Sequence, residues 1–322
     1  MTIAVLAVDG MFDSGLTVLL DVLATAEALT AAVPGAPAAP AVSVLGVGRH
    51  ARTGLGLSVD TVPFDEAPGR PEVVVCPALK AASADALVAA VRGHPALGWL
   101  DRQASTGVGL AAACTGTFFL AEAGLLDHRA ATTSWWYAPH FRRRYPAVRL
   151  DDRLSLVEDR GVVTAGAALA HADLALWLVA RRSPALADEV ARHLLIGARA
   201  SQAVFAIPAH LASGDPLLNA FERWVRANLD RPSVIADACG ALGVSERTLQ
   251  RVTAARLGTT PIGFVQDIRL DHATHLLRTT DLTADAVARA VGYGTAATLR
   301  ALARRRRGVT PRQLAAGRAA AP

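Results

Sequence analysis

The sequence predicts an α/β domain followed by an all-α domain, and three observations carry that prediction. Short apolar runs alternate with helical patterns over roughly the first half of the chain, an order that implies a parallel sheet with helices on both faces. The last third is helical in spacing and repeats itself after fifty positions. Leu249, Gly258, Thr260 and Pro261 recur as Leu299, Gly308, Thr310 and Pro311, and Thr248 recurs as Thr298. Charge divides at the same place. From Asp215 onward sixteen Arg stand against nine acidic residues, a net of +7, while the rest of the chain carries 17 basic and 19 acidic residues, a net of −2.

The totals bound the possibilities. A chain of 322 residues with 52% apolar residues suits two cores. Three cysteines, Cys76, Cys114 and Cys239, are an odd number at unpatterned spacing. That argues against a disulfide framework or a metal knuckle and fits a reducing compartment. No metal and no cofactor is expected. The start, MTIAVLAVDGMFDSG, has no basic n-region and no signal-like apolar stretch. No long apolar span or Lys-rich amphipathic helix stands out, so a cytoplasmic protein without a membrane partner is expected.

Along the front domain, residues 3–8 form a continuous apolar run, as in a strand buried on both faces. A turn cluster at 9–15 leads to a helix pattern at 16–29, with Leu16, Leu19, Leu20, Leu23 and Ala26 near helical spacing. After a Pro/Ala loop at 31–40 come strands at 42–47 and 73–76, helices at 85–91 and 96–105, and a strand at 108–113. A further helix is expected at 168–180, with His171 on it, and another at 185–200.

The strand at 108–113 runs directly into Cys114-Thr115-Gly116-Thr117 and a helix. A small nucleophilic residue at such a corner is lifted above the sheet, over a helix N-terminus. Its dipole and free N–H groups would favour a thiolate or bind an anion. The alternative is a buried cysteine acting as a small hydrophobe. Asp13, taken by itself, is read as a helix cap or turn acid. His171 is read as a core or solvated histidine, Trp135-Trp136-Tyr137 as pocket wall or packing, and Arg142-Arg143-Arg144 as a solvated helix face.

The stretch 113–127 (ACTGTFFLAEAGLLD), with Ala131-Thr-Thr-Ser-Trp-Trp-Tyr-Ala-Pro139, Val162-Val-Thr-Ala-Gly166, Asp173-Leu-Ala-Leu176 and Arg199-x-Ser-Gln202, resembles the ThiJ/PfpI-like amidotransferase domain. More narrowly it resembles the GlxA-type regulators, which fuse that domain to an AraC-type tail. The resemblance implies a flavodoxin-like three-layer α/β/α sandwich, a dimerisation role, and an acidic side chain beside the cysteine, here Asp13. Two departures matter. PfpI-type hydrolases carry a His after the cysteine, where this chain has Thr115. The GlxA-type pattern has a His where this chain has Ser134. Without a base beside the thiol a Cys–His hydrolase lacks its proton acceptor, so an enzyme is not expected. Isonitrile hydratase shares the Asp–Cys–Thr arrangement, which keeps a hydratase or hydrolase acting on a small nitrile-like or amide substrate as the rival reading. Cys114, Asp13 and Thr115 are thus expected to form a pseudo-active or sensing site.

In the tail, small Cys239 precedes Gly243 by four residues, and Ala288 precedes Gly292 by four. Val244, Ser245 and Leu249 follow the first pair, and Tyr293, Thr295 and Leu299 the second. A tight helix-to-helix turn needs a small residue where the helices cross, a Gly in the turn and apolar residues locking the second helix. Two such units in a basic domain point to double-stranded DNA. Joined by a helix at 262–278, they resemble the AraC/XylS-type DNA-binding domain, with landmarks Ser245, Leu249, Arg251, Gly258, Pro261, Arg269, Ala273, Gly292, Gly308 and Pro311. Ser245 is expected to cap the first recognition helix. Arg247, Thr248, Gln250 and Arg251 are expected to reach bases or phosphates, as are Thr295, Thr298, Arg300 and Arg304 in the second unit. The run 304–307 reads as a phosphate clamp.

The expected domains are 1–206 for sensing and dimerisation, a linker at 207–216, and a DNA-binding domain at 217–316. Together these imply a transcription regulator, by family analogy an activator engaging RNA polymerase, that forms a homodimer. Its input would be an unknown small-molecule effector or oxidation of Cys114.

Overall fold

The computed structural model describes residues 1–167, 169–196, 208–212, 215–231, 234–308 and 310. Its contacts divide the chain into two compact units, Met1–Gln202 and Ala203–Pro322.

In the first unit the apolar run becomes β1 (Thr2–Leu6), whose Ile3, Ala4, Val5 and Leu6 are all buried. Next come α1 (Asp13–Leu29), β2 (Ala41–Gly46), the hairpin β3 (His50–Arg52) and β4 (Ser58–Asp60), β5 (Val62–Pro63) and β6 (Val73–Cys76). Then follow α2 (Ala84–Val91), α3 (Ala96–Ser105), β7 (Gly109–Ala113), α4 (Thr117–Glu122), β8 (Ala130–Ala131) and α5 (Ala138–Arg144). The unit ends with β9 (Arg149–Leu150), β10 (Leu156–Asp159), β11 (Val162–Ala165), α6 (Ala170–Ala180) and α7 (Pro184–His193).

Seven strands pair in the order β10-β11-β7-β6-β1-β2-β5, all parallel except the β10–β11 pair. Helices α1, α6 and α7 pack together, and α4 packs with α2 and α3. The expected α/β architecture holds. The carboxyl ends of parallel strands are where such sheets place their sites, and both β1 and β7 end there, on either side of β6.

Two expectations are corrected. The stretch Asp13–Ala32 is long and apolar enough to cross a membrane by length and composition. Its Leu16, Leu19, Val22, Leu23 and Ala26 instead bury into the unit's core. The arginines of α5 form a solvated face only in part: Arg143 and Arg144 are exposed, while Arg142 is not. Arg142 is ion-paired with Asp152 at 2.6 Å, both side chains being 15% exposed, and Arg144 bonds Glu122 and Tyr145.

The second unit contains α8 (Pro208–Ala212), α9 (Pro216–Ala227), α10 (Val234–Leu242), α11 (Glu246–Leu257), α12 (Pro261–Thr279), α13 (Ala284–Ala290) and α14 (Ala296–Arg307). The expected linker at 207–216 therefore includes a helix, and Ala212 is fully buried in this unit's core beside Leu218 and Phe221. Residues 207, 213 and 214 lie outside the described residues, as do Pro311 and the 199–202 motif.

Two separate cores occupy the unit. Phe221, Leu249, Phe264, Val265 and Ile268 belong to one, and Leu270, Ala273, Val287, Leu299 and Leu302 to the other. Helix α12 serves both, its first half in one core and its second in the other. At about 1.5–3 kcal/mol for each fully buried large apolar side chain, each core is enough to hold its own helices in register.

Candidate functional site

The sheet delivers Cys114 at the end of β7. Its φ of +53° is a left-handed conformation that costs a side-chain-bearing residue roughly 1–2 kcal/mol. Hydroxyl groups hold it there. Thr117 Oγ1 donates to the Cys114 carbonyl at 2.7 Å, and Thr133 Oγ1 reaches the same oxygen at 3.0 Å. Thr115 staples the corner to the loop after β6, accepting the Leu79 N–H at 2.8 Å and donating to the Leu79 carbonyl at 2.7 Å.

Gly116 explains why no larger residue follows. A Cβ there would stand 2.1 Å from the Cys76 carbonyl oxygen and 2.5 Å from that of Pro77. The backbone approach excludes any side chain.

The thiol is buried, and burial pushes its pKa above the ordinary value, against hydrogen bonds from Ser134 and from the Thr115 amide and hydroxyl. The Thr115 hydroxyl has one proton, already directed at Leu79, so Ser134 and the Thr115 amide are the effective donors. Of the two readings of Cys114, burial favours the small hydrophobe over the thiolate, because desolvation outweighs the local donors. Ser134, in the place where the resemblance expects a histidine, is the residue that sequence reasoning missed as a partner. The only signal was the missing histidine itself.

Asp13 is the first residue of α1 rather than its cap; Phe12 holds the cap position. Its Oδ2 accepts the Leu55 N–H at 3.0 Å from the tip of the β3–β4 hairpin, and its buried Oδ1 has no hydrogen-bond partner among the described residues. His171 is a core histidine. It is fully buried, and its Nε2 accepts the Ala78 N–H at 3.1 Å, which places the proton of a neutral ring on Nδ1. Gly15 makes room for it, since a Cβ there would lie 2.9 Å from the ring.

Tyr137 donates to the Ala81 carbonyl at 3.1 Å and packs edge-on to Phe118, while Trp136 remains 43% exposed. Two surface grooves of about 470 and 420 Å³ lie elsewhere, one between α1 and β2 and one beside Glu122 and Arg144. Neither is lined by Cys114. No cluster of three or more His, Cys, Asp or Glu suited to a metal occurs among the described residues.

In the second unit the fifty-residue repeat acquires its physical meaning. Ser245 Oγ caps α11 by accepting the Thr248 N–H at 3.1 Å, and Thr295 Oγ1 caps α14 by accepting the Thr298 N–H at 3.3 Å. Gly258 at φ +63° and Gly308 at φ +68° terminate the two helices, their N–H groups bonded to Ala254 and Arg304 carbonyls. The preceding turns correspond too. Val244 N–H reaches the Cys239 carbonyl at 3.1 Å, and Tyr293 N–H the Ala288 carbonyl at 2.8 Å.

Arg247, Gln250 and Arg251 are exposed on α11, and Thr298, Arg300 and Arg304 on α14, while Leu249 and Leu299 point inward. Thr248 is half-buried with its hydroxyl 2.9 Å from that of Ser245. The clamp expected at 304–307 is corrected. Arg307 is buried and bonds Thr274, Arg306 is paired with Asp267, and only Arg304 and Arg305 are exposed.

An α/β/α unit with a hydroxyl-braced elbow cysteine, joined to a tandem helix–turn–helix unit, defines a two-part architecture. Residues 1–181 match the DJ-1/PfpI family and residues 238–317 a helix-turn-helix domain. The chain belongs to the DJ-1/PfpI family and carries a helix-turn-helix domain. It is 31% identical over 200 residues to the HTH-type transcriptional regulator CdhR of Pseudomonas aeruginosa, covering 61% of this chain and 59% of that one. It is 29% identical over 206 residues to the HTH-type transcriptional regulator GlxA of Rhizobium meliloti, covering 62% of each. The chain thus spans about three fifths of the length of these curated relatives. A ThiJ/PfpI family protein from Pseudomonas syringae shares the fold, at TM-score 0.53 and 20% identity, covering 66% of this chain and 83% of that one.

Proposed function

We propose that this protein is a sequence-specific, DNA-binding transcription regulator. The observation that carries the reading is the pair of capped helices, α11 and α14, each presenting exposed Arg, Gln or Thr side chains opposite two buried leucines. Both are anchored on one 19-residue helix. That helix is about 28 Å long, and with its flanking turns it suits two recognition helices in successive major grooves about 34 Å apart. The names of the similar regulators support the same reading.

In this reading Arg247, Gln250 and Arg251 read base edges, and Arg300, Arg304 and Thr298 supply the second contact. Ser245, Thr248 and Thr295 act at the helix starts, where their free lone pairs and protons meet phosphates. The first unit mediates homodimerisation and takes the input, a small molecule or an oxidant at Cys114. The protein acts in the cytoplasm as an activator that engages RNA polymerase. Ser134 in place of an imidazole leaves the buried thiol without a base, which counts against turnover of a nitrile-like or amide substrate. The same burial favours a small molecule over an oxidant as the input.

The test is a pair of variants assayed on selected duplexes at fixed salt. Arg251→Ala is expected to cost about 1–3 kcal/mol and relax the preference at one base position. Arg304→Ala should weaken all sequences equally and lower the salt slope by about 1. Identical effects of the two variants would remove the division between reading and anchoring.

A further inference from the structure

We propose that Arg269 is a positioning residue that fixes the separation of the two recognition helices, and through it the spacing between the two DNA contacts that one chain accepts. The second half of this statement rests on the DNA-binding reading above. Arg269 occupies the point on α12 where the cores change over, between Ile268 of the first and Leu270 of the second. It is only 6% exposed, unusual for a side chain that cannot shed its charge.

Its contacts join three segments. Nη2 donates to the Arg231 carbonyl at 2.8 Å, in the chain leaving α9. The guanidinium carbon lies 5.2 Å from the centroid of the Tyr293 ring, in the turn before α14. Beside it the backbones themselves meet. A Cβ on Gly292 would stand 2.3 Å from the Leu229 carbonyl oxygen and 2.7 Å from Arg269 Nη2, and Gly292 has φ +79°. Only glycine fits, so the turn before α14 rests directly on the chain that follows α9.

The joint has little slack and little redundancy. Arg269 Nε and the Tyr293 hydroxyl are both buried without a well-formed hydrogen bond among the described residues. Among the described residues the Arg231 carbonyl and the Tyr293 side chain, through its ring and its hydroxyl, are what hold this cation. At its far end α14 is tied to the same helix by Arg306 to Asp267 and by Arg307 to Thr274. The joint therefore sets the angle of the whole second unit. On the roughly 15 Å of α12 beyond Arg269, a swing of about 13° moves the far end by about 3.4 Å, one base-pair step. A small loss of definition at Arg269 thus becomes a loss of register on DNA.

The experiment uses the full chain with spin labels at Ala254→Cys on α11 and Ala301→Cys on α14. Both sites are exposed, while the native cysteines are buried. The wild-type background is expected to give one narrow distance distribution, and Arg269→Met a broadened or shifted one with helical content retained. On duplexes selected by the wild type, inserting one base pair between the two contacts should cost the wild type about tenfold. Arg269→Met should flatten that dependence while binding either half alone within about twofold. Tyr293→Leu removes the ring and leaves the carbonyl contact, and it carries the test if Arg269→Met loses its helices. Distance distributions superimposable on wild type in the folded variants would overturn the proposal. A changed distribution without any selected duplex for the wild type would uphold the joint and sink the DNA-binding reading.

Discussion

Cys114 illustrates how residue-level forces compete at the elbow. Its left-handed backbone is held by the Thr117 and Thr133 hydroxyls, its sulfur faces Ser134, and burial dominates its titration. Because the folded thiol titrates above its ordinary value of 9.0, the folded state binds that proton more tightly than the unfolded chain. The resulting stabilisation is complete below that value and is lost as pH rises through the folded pKa. Only the thiolate attacks an alkylating agent, and the folded site holds less of it and hides it from solvent. Alkylation of Cys114 by iodoacetamide at pH 8 is accordingly expected to be at least about tenfold slower in the native protein than in denaturant. Equal rates in mass-spectrometric time courses would show that burial does not control this thiol. Gly116 makes a second test. Placing a methyl group 2.1 Å from the Cys76 carbonyl should make Gly116→Ala lose about 3 kcal/mol in denaturant unfolding. A loss below about 0.5 kcal/mol would mean the corner yields easily.

At the scale of elements, what could be read in advance follows from which residues speak locally. The recognition helices were legible because their caps are side-chain decisions. Ser245 and Thr295 accept amides that would otherwise be orphaned, and Gly258 and Gly308 supply the left-handed stop. Ser245→Ala and Thr295→Ala should each cost about 1 kcal/mol in thermal or denaturant unfolding, and neutral effects would mean that tertiary packing alone sets those helix starts. Strands β1, β2, β6 and β7 were legible as apolar runs. The hairpin β3–β4, with its half-exposed Ser58–Asp60 strand, and the two-residue strands β5, β8 and β9 were not, because they bury too little to leave a period in the sequence. The fate of the basic run at 304–307 was also hidden. Charge is visible in a sequence, but its partners Asp267 and Thr274, about forty and thirty residues away, are brought to it only by packing.

For the whole molecule, the division of charge and the fifty-residue repeat were enough to separate the two units and to suggest the DNA-binding role proposed for the second. The elbow was legible as a place, at the strand end that carries Cys114, but not as chemistry. Whether Ser134 or a histidine faces the sulfur decides between a hydrogen-bonded thiol and an activated one, and that contact spans twenty residues and two loops. The central claim is that the tandem helical unit reads DNA at two points from one rigid arm. Selection of duplexes from a random pool by the purified full-length protein, at fixed physiological salt, tests it most directly. The account predicts a discrete motif with two contacted segments separated by about one helical turn. Salt-sensitive retention of every sequence alike, with no motif enriched, would contradict it.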